Sequence, residues 1–341
     1  MSILVLNDTR VDRHHGCYAV MAAIGALLER NALGPVRYWP AHTEWRGSAE
    51  FDAALAAARL VVINGEGTIH HDRPAGRRLL EAGARARDTG VPVALINTGW
   101  EANGPDFVAM LDHFDLLAAR DSRSAARMAE GGAEVRVVPD LSLWHARANM
   151  PQTVAGTRAG IGFTDNVDRF KSLALERLRR ACGGETLVIG HGTAGFGGWA
   201  GFLREGIGLR EDIRHPARLA GLVALRHRLW RAGLPATDAF LARIARLELL
   251  VSGRFHACTL ALATGTPVIA QSSNTGKIAA LFHDAGLDQW RGEVTLDRVS
   301  VQEARARRWS EAERAALDAY LAGAVTAAEG LFVDLARLVA R

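Results

Sequence analysis

Residues 247–283 read LELLVSGRFHACTLALATGTPVIAQSSNTGKIAALFH, and the fold turns on this stretch. Leu247–Val251 is a short apolar run closed by Ser-Gly, which predicts a buried strand ending in a turn. His256–Ala263 is longer and built of small and apolar residues, which predicts a helix. Pro267–Ala270 reads as a second strand and Lys277–His283 as a second helix. Uncharged strands alternating with helices predict a parallel sheet covered on both faces. Neighbouring strands lie ~5 Å apart, and a right-handed crossover puts both strand-to-helix turns on one rim.

The same alternation continues outward. In the first half, Ile3–Leu6, Pro35–Trp39, Leu60–Ile63, Pro92–Asn97, Leu116–Ala118 and Val135–Val138 read as strands. Tyr18–Glu29, Ala49–Ala58, Gly76–Thr89 and Ser122–Ala129 read as helices. Leu141–Arg158 loses periodicity and contains Pro151, so it reads as a linker. Beyond it come strand Ala159–Phe163, helix Asp168–Cys182 and strand Thr186–Ile189. His191–Trp199 reads as a Gly-rich loop, and residues 200–247 as helices separated by Gly233 and Pro235. The tail Ser310–Arg341 is helical in pattern. The expected fold class is α/β with mostly parallel sheets, in domains 1–145 and 156–309. The helices of 310–341 are expected to pack back on the first domain. Two such domains favour a cleft between them, with ligands beyond the carboxyl ends of the strands.

A chain of 341 residues is long enough for two domains that need no disulfide or metal staple. Its 49% apolar and 23% charged residues exclude a disordered or fibrous chain. A net charge of +4 does not point to nucleic acid. All but two of the basic residues are Arg, and Arg suits phosphate and carboxylate ligands. Cys17, Cys182 and Cys258 are sparse and odd in number, which predicts a reducing compartment. No CxxC or HExxH spacing occurs, so no metal is expected. The N-terminus lacks a basic segment followed by a long apolar run, and no 18-residue uncharged apolar stretch exists. The expected location is the cytoplasm. Peripheral contact of the helical tail with the anionic lipid of an inner membrane is a further expectation.

The strand-to-helix turns carry the candidate chemistry. In Val251-Ser252-Gly253-Arg254-Phe255-His256, Ser252 or Gly253 is expected to cap the helix. The helix start favours an anion, Arg254 offers a planar fork, and His256 offers an imidazole that can act as acid or base. The next turn, Gln271–Lys277, brings Ser273, Asn274 and Lys277 to the same rim. It is not a P-loop, because Ile278 follows Lys277. In the first half, Asn64-Gly65-Glu66-Gly67-Thr68 allows close backbone approach at Gly65 and Gly67 and offers Glu66 as a base. It lacks the third glycine of a dinucleotide fingerprint, since position 70 is His. His70, His14 and His15 suit hydrogen bonding or proton transfer. Arg120-Asp121-Ser122 opens a helix capped by Asp121 or Ser122, with Arg120 either on solvent or on a ligand. Asn97 and Trp100 end another strand, and Trp100 fits either stacking on a sugar or core packing.

With these turns in order, the chain resembles the polysaccharide pyruvyl transferase family from Asn7 to about Gly286. The stretch 251–277 looks like that family's strand, Arg-x-His, small-residue helix, GxPVI strand and closing Lys. Asn64–Thr68 looks like its Gly-rich turn, and Arg120-Asp121 with Ser124 like its Arg-Asp-x-x-Ser helix start. Val138-Pro139-Asp140 resembles its end-of-domain turn. The resemblance implies two Rossmann-like domains facing across a cleft, as in GT-B glycosyltransferases. It also implies transfer of pyruvate from phosphoenolpyruvate, as co-substrate, onto two hydroxyls of a saccharide or lipid-linked saccharide of the cell surface. The family's first loop often reads Asn-x-Gly-Asp-x-Ala. Here His14-His15-Gly16-Cys17-Tyr18-Ala19 puts His14 for the Asn and Cys17 for the acid.

Under this reading Arg254 and Lys277, with Gly253, Ser273, Asn274 and Arg120, hold the anionic donor. His256 protonates its methylene carbon, and Glu66 or His70 takes the proton of the acceptor hydroxyl. His14, His15, Gly65, Gly67, Asn97 and Trp100 line the acceptor side. The altered first loop favours a second reading: a glycosyltransferase that places a nucleotide sugar, such as a CMP-linked one, on the same scaffold. A non-catalytic glycan-binding protein is the third.

Overall fold

The computed structural model describes residues 1–149, 157–190, 214–273, 275–293 and 295–340. It divides into two compact units. Unit 1 comprises Met1–Val11, Ala19–His145 and Ala322–Arg341, and unit 2 comprises Asp12–Tyr18 and Ala146–Leu321.

Unit 1 is built on six strands: β1 (Ser2–Asp8), β2 (Val36–Pro40), β3 (Ala58–Asn64), β4 (Val93–Thr98), β5 (Leu116–Ala119) and β6 (Arg136–Val137). They are parallel throughout, in the order β2-β1-β3-β4-β5-β6. Side chains alternate across a strand, so each apolar strand feeds two cores. Ile3, Val5, Leu60, Val62, Ala94 and Ile96 pack with Val20, Ile24 and Leu27 of helix His15–Arg30. Leu4, Leu6, Val61, Ile63 and Leu95 pack on the other face with Phe51, Leu80 and Phe107. The chain leaves β1 to one side and returns on the other, so the order reverses between β1 and β3. Ligands of open α/β sheets bind at such a switch point.

Leu141–Ala148 is a helix, where the lost periodicity predicts a linker. Leu141 and Trp144 enter the same core as Ala328, Leu331, Phe332 and Leu335. The periodic signal fails there because the helix is buried on several sides, so no polar face marks it. The tail is a single helix, Glu311–Val339, long and apolar enough by length and composition to cross a membrane. Its second part belongs to unit 1, where Ala328, Leu331, Phe332 and Leu335 lie in the core.

Unit 2 has four parallel strands, β7 (Ile161–Asn166), β8 (Glu185–Thr186), β9 (Leu249–Gly253) and β10 (Val268–Ala270), ordered β10-β9-β7-β8. The order reverses between β7 and β9. Register pairs Ile269 with Val251 and Ala270 with Ser252, so the turns after β9 and β10 share one rim. Helix Phe255–Ala263 is buried at all nine positions, which accounts for its lack of a polar side. The expected strand Thr186–Ile189 is shorter, although Leu187 N–H still donates to Phe163 O at 2.8 Å. Helices Trp290–Glu293 and Arg298–Arg307 have no counterpart in the sequence reading. The second carries three Arg and buries only Ser300, Val301 and Ala304, too narrow a stripe to give a period. Pro151, His191–Trp199, residues 200–213 and Asn274 lie outside the described residues.

Candidate active site

In unit 2 the two ends of β7 and β9 that flank the switch point carry Asp165 and Arg254. Arg254 donates from Nε and Nη2 to the two carboxylate oxygens of Asp165, at 2.8 and 2.5 Å. Such a two-point pair fixes the plane of the guanidinium. Arg254 is itself the N-cap residue of helix Phe255–Ala263 and gives no side-chain cap. Ser252, expected as a cap, instead turns inward. Its Oγ accepts the Arg254 N–H at 3.0 Å and lies 3.0 Å from Thr164 Oγ1. Gly253 is obligatory by space: an added Cβ would come within 2.5 Å of Asn166 Nδ2 and 2.7 Å of Asp165 O.

The neighbouring turn after β10 is tied to the same corner. Asn166 Nδ2 donates to Ser272 O at 3.2 Å, and Lys171 Nζ to Ser272 O and Oγ at 2.9 and 2.8 Å. Ser273 follows, and Lys277 occupies the first position of helix Lys277–Asp284. Two side chains that sequence reasoning missed, Asp165 and Lys171, therefore set the geometry of this rim. An acid closing a strand, in Phe163-Thr164-Asp165-Asn166, was the available signal.

The loop Asp12–Tyr18 belongs to unit 2, so His14 and His15, read as acceptor-side residues, sit with His256. His14 pairs with Gly190 in an antiparallel bridge, and His15 N–H donates to Ile189 O at 2.9 Å. His15 stacks on Phe240 and places Nδ1 3.1 Å from Thr237 Oγ1, which makes it a structural clamp. The rings of His14 and His256 meet edge to face with centroids 5.3 Å apart. Desolvation, then His256, Arg254, His15 and Lys277, holds His14 well below the usual imidazole range, so it is neutral at neutral pH. Cys17 is buried beside them. Burial pushes the Cys258 thiol up to about 12, which marks it as an inert core residue.

Gly16 is the contact point of this loop. A Cβ there would stand 2.0 Å from His256 Cγ. Gly16→Ala is expected to push the loop off His256 and to lower the melting temperature by several degrees, since overpacking costs about 1–3 kcal/mol. Thermal melts of the variant beside wild type check this. An unchanged melt would mean that the loop does not hold this position.

Unit 1 carries a second polar corner at its own switch point. Asn7, at φ +63°, donates from Nδ2 to Asn64 O at 2.7 Å. Glu66 is 4% exposed and accepts from Thr9 Oγ1 at 2.9 Å and from Asn64 Nδ2 at 3.3 Å. Gly65 is pressed on Thr98, and Gly67 has φ +65°. Asn97 donates from Nδ2 to Asn64 Oδ1 at 3.5 Å and accepts the Leu141 N–H at 3.1 Å. His70 is buried with its Nδ1 3.0 Å from His71 Nδ1. Arg120 is buried against Asp140, 3.4 Å away, while Asp121 caps helix Ser122–Met128 by accepting Ser124 N–H at 2.7 Å. Trp100 is 2% exposed in the core beside Phe107, so core packing is its role and not stacking on a sugar. Asn7 and Thr9 escaped the sequence reading because a strand-end Asn or Thr is an ordinary turn residue, whereas Asn64 opens the Gly-rich turn that the sequence marks.

The fold matches solved structures at low identity. UDP-GlcNAc 2-epimerase of Methanocaldococcus jannaschii, solved with UDP-GlcNAc and UDP, is 13% identical at a TM-score of 0.55, covering 98% of this chain and 99% of that one. A glycosyltransferase of Rickettsia africae is 9% identical at 0.53, covering 100% and 98%. Likeness at this identity shows a shared fold, that of two-domain glycosyltransferases and epimerases. No curated protein sequence matches the chain. The family model for polysaccharide pyruvyl transferase matches residues 14–274, from the His14 loop through Arg254 and His256 to the turn before Lys277. On that match the chain belongs to the polysaccharide pyruvyl transferase family and is a transferase.

Proposed function

We propose that the protein transfers pyruvate from phosphoenolpyruvate to a saccharide of a surface-polysaccharide pathway, free or lipid-linked. The observation that carries this reading is the Arg254 fork, fixed by Asp165 at the β7/β9 switch point on the rim that also bears Lys277. Phosphoenolpyruvate is small and carries up to three negative charges, so fixed cations aimed at it supply most of the stabilisation. Arg254 and Lys277 bind its phosphate and carboxylate. The methylene carbon gains a proton from the corner formed by His14, Cys17 and His256. The oxocarbenium-like carbon so formed is attacked by one sugar hydroxyl, and a second displaces phosphate and closes the ketal. The attacking hydroxyl gives up its proton to a general base.

A thermal-shift panel of phosphoenolpyruvate, CMP, UDP, GDP and their sugar conjugates tests the donor. A ligand at ~100 times its Kd adds about 2.7 kcal/mol of stability. The expected result is a shift with phosphoenolpyruvate alone. A shift with one nucleotide and none with phosphoenolpyruvate would replace this reading by nucleotide-sugar transfer. Cys17 in the family's acidic position favours that second reading, as does the binding of UDP-GlcNAc by a protein of this fold.

A further inference from the structure

His14, Cys17 and His256 meet at one point. One ligand atom from each, two ring nitrogens and one sulfur, lie within 4.8 Å of one another, and Cys17 and His256 are buried. We propose that this cluster is a site for a divalent metal ion of the zinc type, with three protein ligands and a fourth position open.

The donor set carries the argument. Zinc prefers imidazole nitrogen and thiolate, at ~2.0–2.1 and ~2.3 Å, and three protein ligands with one open position is the arrangement of reactive zinc. Those bond lengths imply ligand atoms roughly 3.3–3.7 Å apart around a tetrahedral ion. The cluster needs to close by about 1 Å from its widest separation, within the reach of side-chain rotation. Rigid elements aim the ligands. His14 is held by its bridge to Gly190, Cys17 lies in the first turn of helix His15–Arg30, and His256 lies in the first turn of helix Phe255–Ala263. Gly16, whose lack of a side chain lets the loop touch His256, is what permits the approach.

Two features oppose a cation and are met. Arg254 and Lys277 lie close enough to act on His14. Asp165 pairs with Arg254, and the Cys17 thiolate adds a negative charge to the ligand set. The Gly16 N–H donates to His14 Nδ1 at 3.1 Å, and coordination at that atom exchanges a backbone hydrogen bond for a metal bond. The neighbouring cations then favour an anionic oxygen at the fourth position. The sequence reading expected no metal because no CxxC or HExxH spacing occurs and His14 and His15 are merely adjacent. The fold uses only one of that pair, His14, and completes the set from Cys17 and a distant helix. The site stands whichever donor the enzyme uses. A coordinated nitrogen gives no proton, so a loaded site moves the acid role from His256 to the group bound at the fourth position.

The test uses the full chain purified without chelator. Elemental analysis is expected to find about one equivalent of zinc per chain. After exchange with Co2+, a thiolate-to-cobalt charge-transfer absorption is expected in the near ultraviolet. Cys17→Ser should abolish that band, while His14→Ala and His256→Ala should each weaken Co2+ binding at least about tenfold. Cys182→Ser and Cys258→Ser should leave it unchanged, and together they assign the band to Cys17 even if Cys17→Ser does not fold. No bound zinc and no charge-transfer band with excess Co2+ on the folded wild-type protein would overturn the proposal. A band retained in folded Cys17→Ser would do the same.

Discussion

Arg254→Lys is expected to fold like wild type and to lose about 10²–10³-fold in transfer rate, as removal of one fixed donor does in other enzymes. The substitution keeps the charge. It cannot keep the two-point bond to Asp165, because an ammonium has no planar fork. The cation is then free to swing, and an anion-binding geometry set by Asp165 is lost. Arg254→Ala is a harsher change, since it also strands the Asp165 carboxylate, which is mostly buried, without its partner. A fall in rate for Arg254→Ala therefore mixes lost binding with lost stability, whereas Arg254→Lys separates them. The check pairs a melting curve with a rate assay on phosphoenolpyruvate or the nucleotide sugar the shift panel selects. A normal melt with a normal rate in Arg254→Lys would remove the fork from the mechanism and leave only its charge.

How much of this corner was legible in the sequence follows from the physics of each residue. The strands around it were readable because both faces are buried, which forces unbroken apolar runs such as Leu249–Val251 and Leu60–Ile63. Arg254 and His256 were readable because a turn between strand and helix is a known place for ligands. Asp165 was not, because its role depends on pairing between β7 and β9, and it stands 89 residues before Arg254 in the sequence. The same limit hid the meeting of Cys17 with His256, which links the loop after β1 to unit 2. Trp100 shows the converse: a strand-end aromatic fits a sugar platform or the core equally well until burial places it in the core. Helix Leu141–Ala148 was missed because a helix packed on several sides shows no polar period. Local pattern thus fixes elements, and non-local contact fixes roles.

Arg291→Met is expected to destabilise unit 2 by about 3–5 kcal/mol, the cost of leaving a buried ionic partner alone. Arg291 is 1% exposed. It donates from Nε to Glu313 Oε1 at 2.5 Å and from Nη2 to Oε2 at 2.8 Å, and its Nη2 also reaches Arg308 O. The Trp309 ring lies 4.4 Å from the guanidinium carbon. Burial alone raises the Glu313 carboxyl, but bonds from Arg291, Ser310 and Asp288 outweigh it and bring the pKa down from 4.5 to about 2. A folded pKa below the unfolded one stabilises above the unfolded value and is lost as pH falls through the folded one. The contribution is therefore complete above pH 4.5 and disappears between pH 4.5 and about 2. A shift of that size corresponds to about 3 kcal/mol. Denaturant melts across this range should show wild type losing stability that Arg291→Met has already lost. The pair Arg291→Met with Glu313→Leu should recover most of it, because replacing both members by apolar groups removes the stranded charge. Failure of the double variant to recover would assign the loss to packing on Trp309 and to the carbonyl of Arg308 instead of to charge. Arg291 also reaches Val268 O at 3.5 Å, the first residue of β10. Loosening it should therefore weaken ligand binding at the turn that carries Ser273 and Lys277, a change that the thermal-shift panel reads on the same variants.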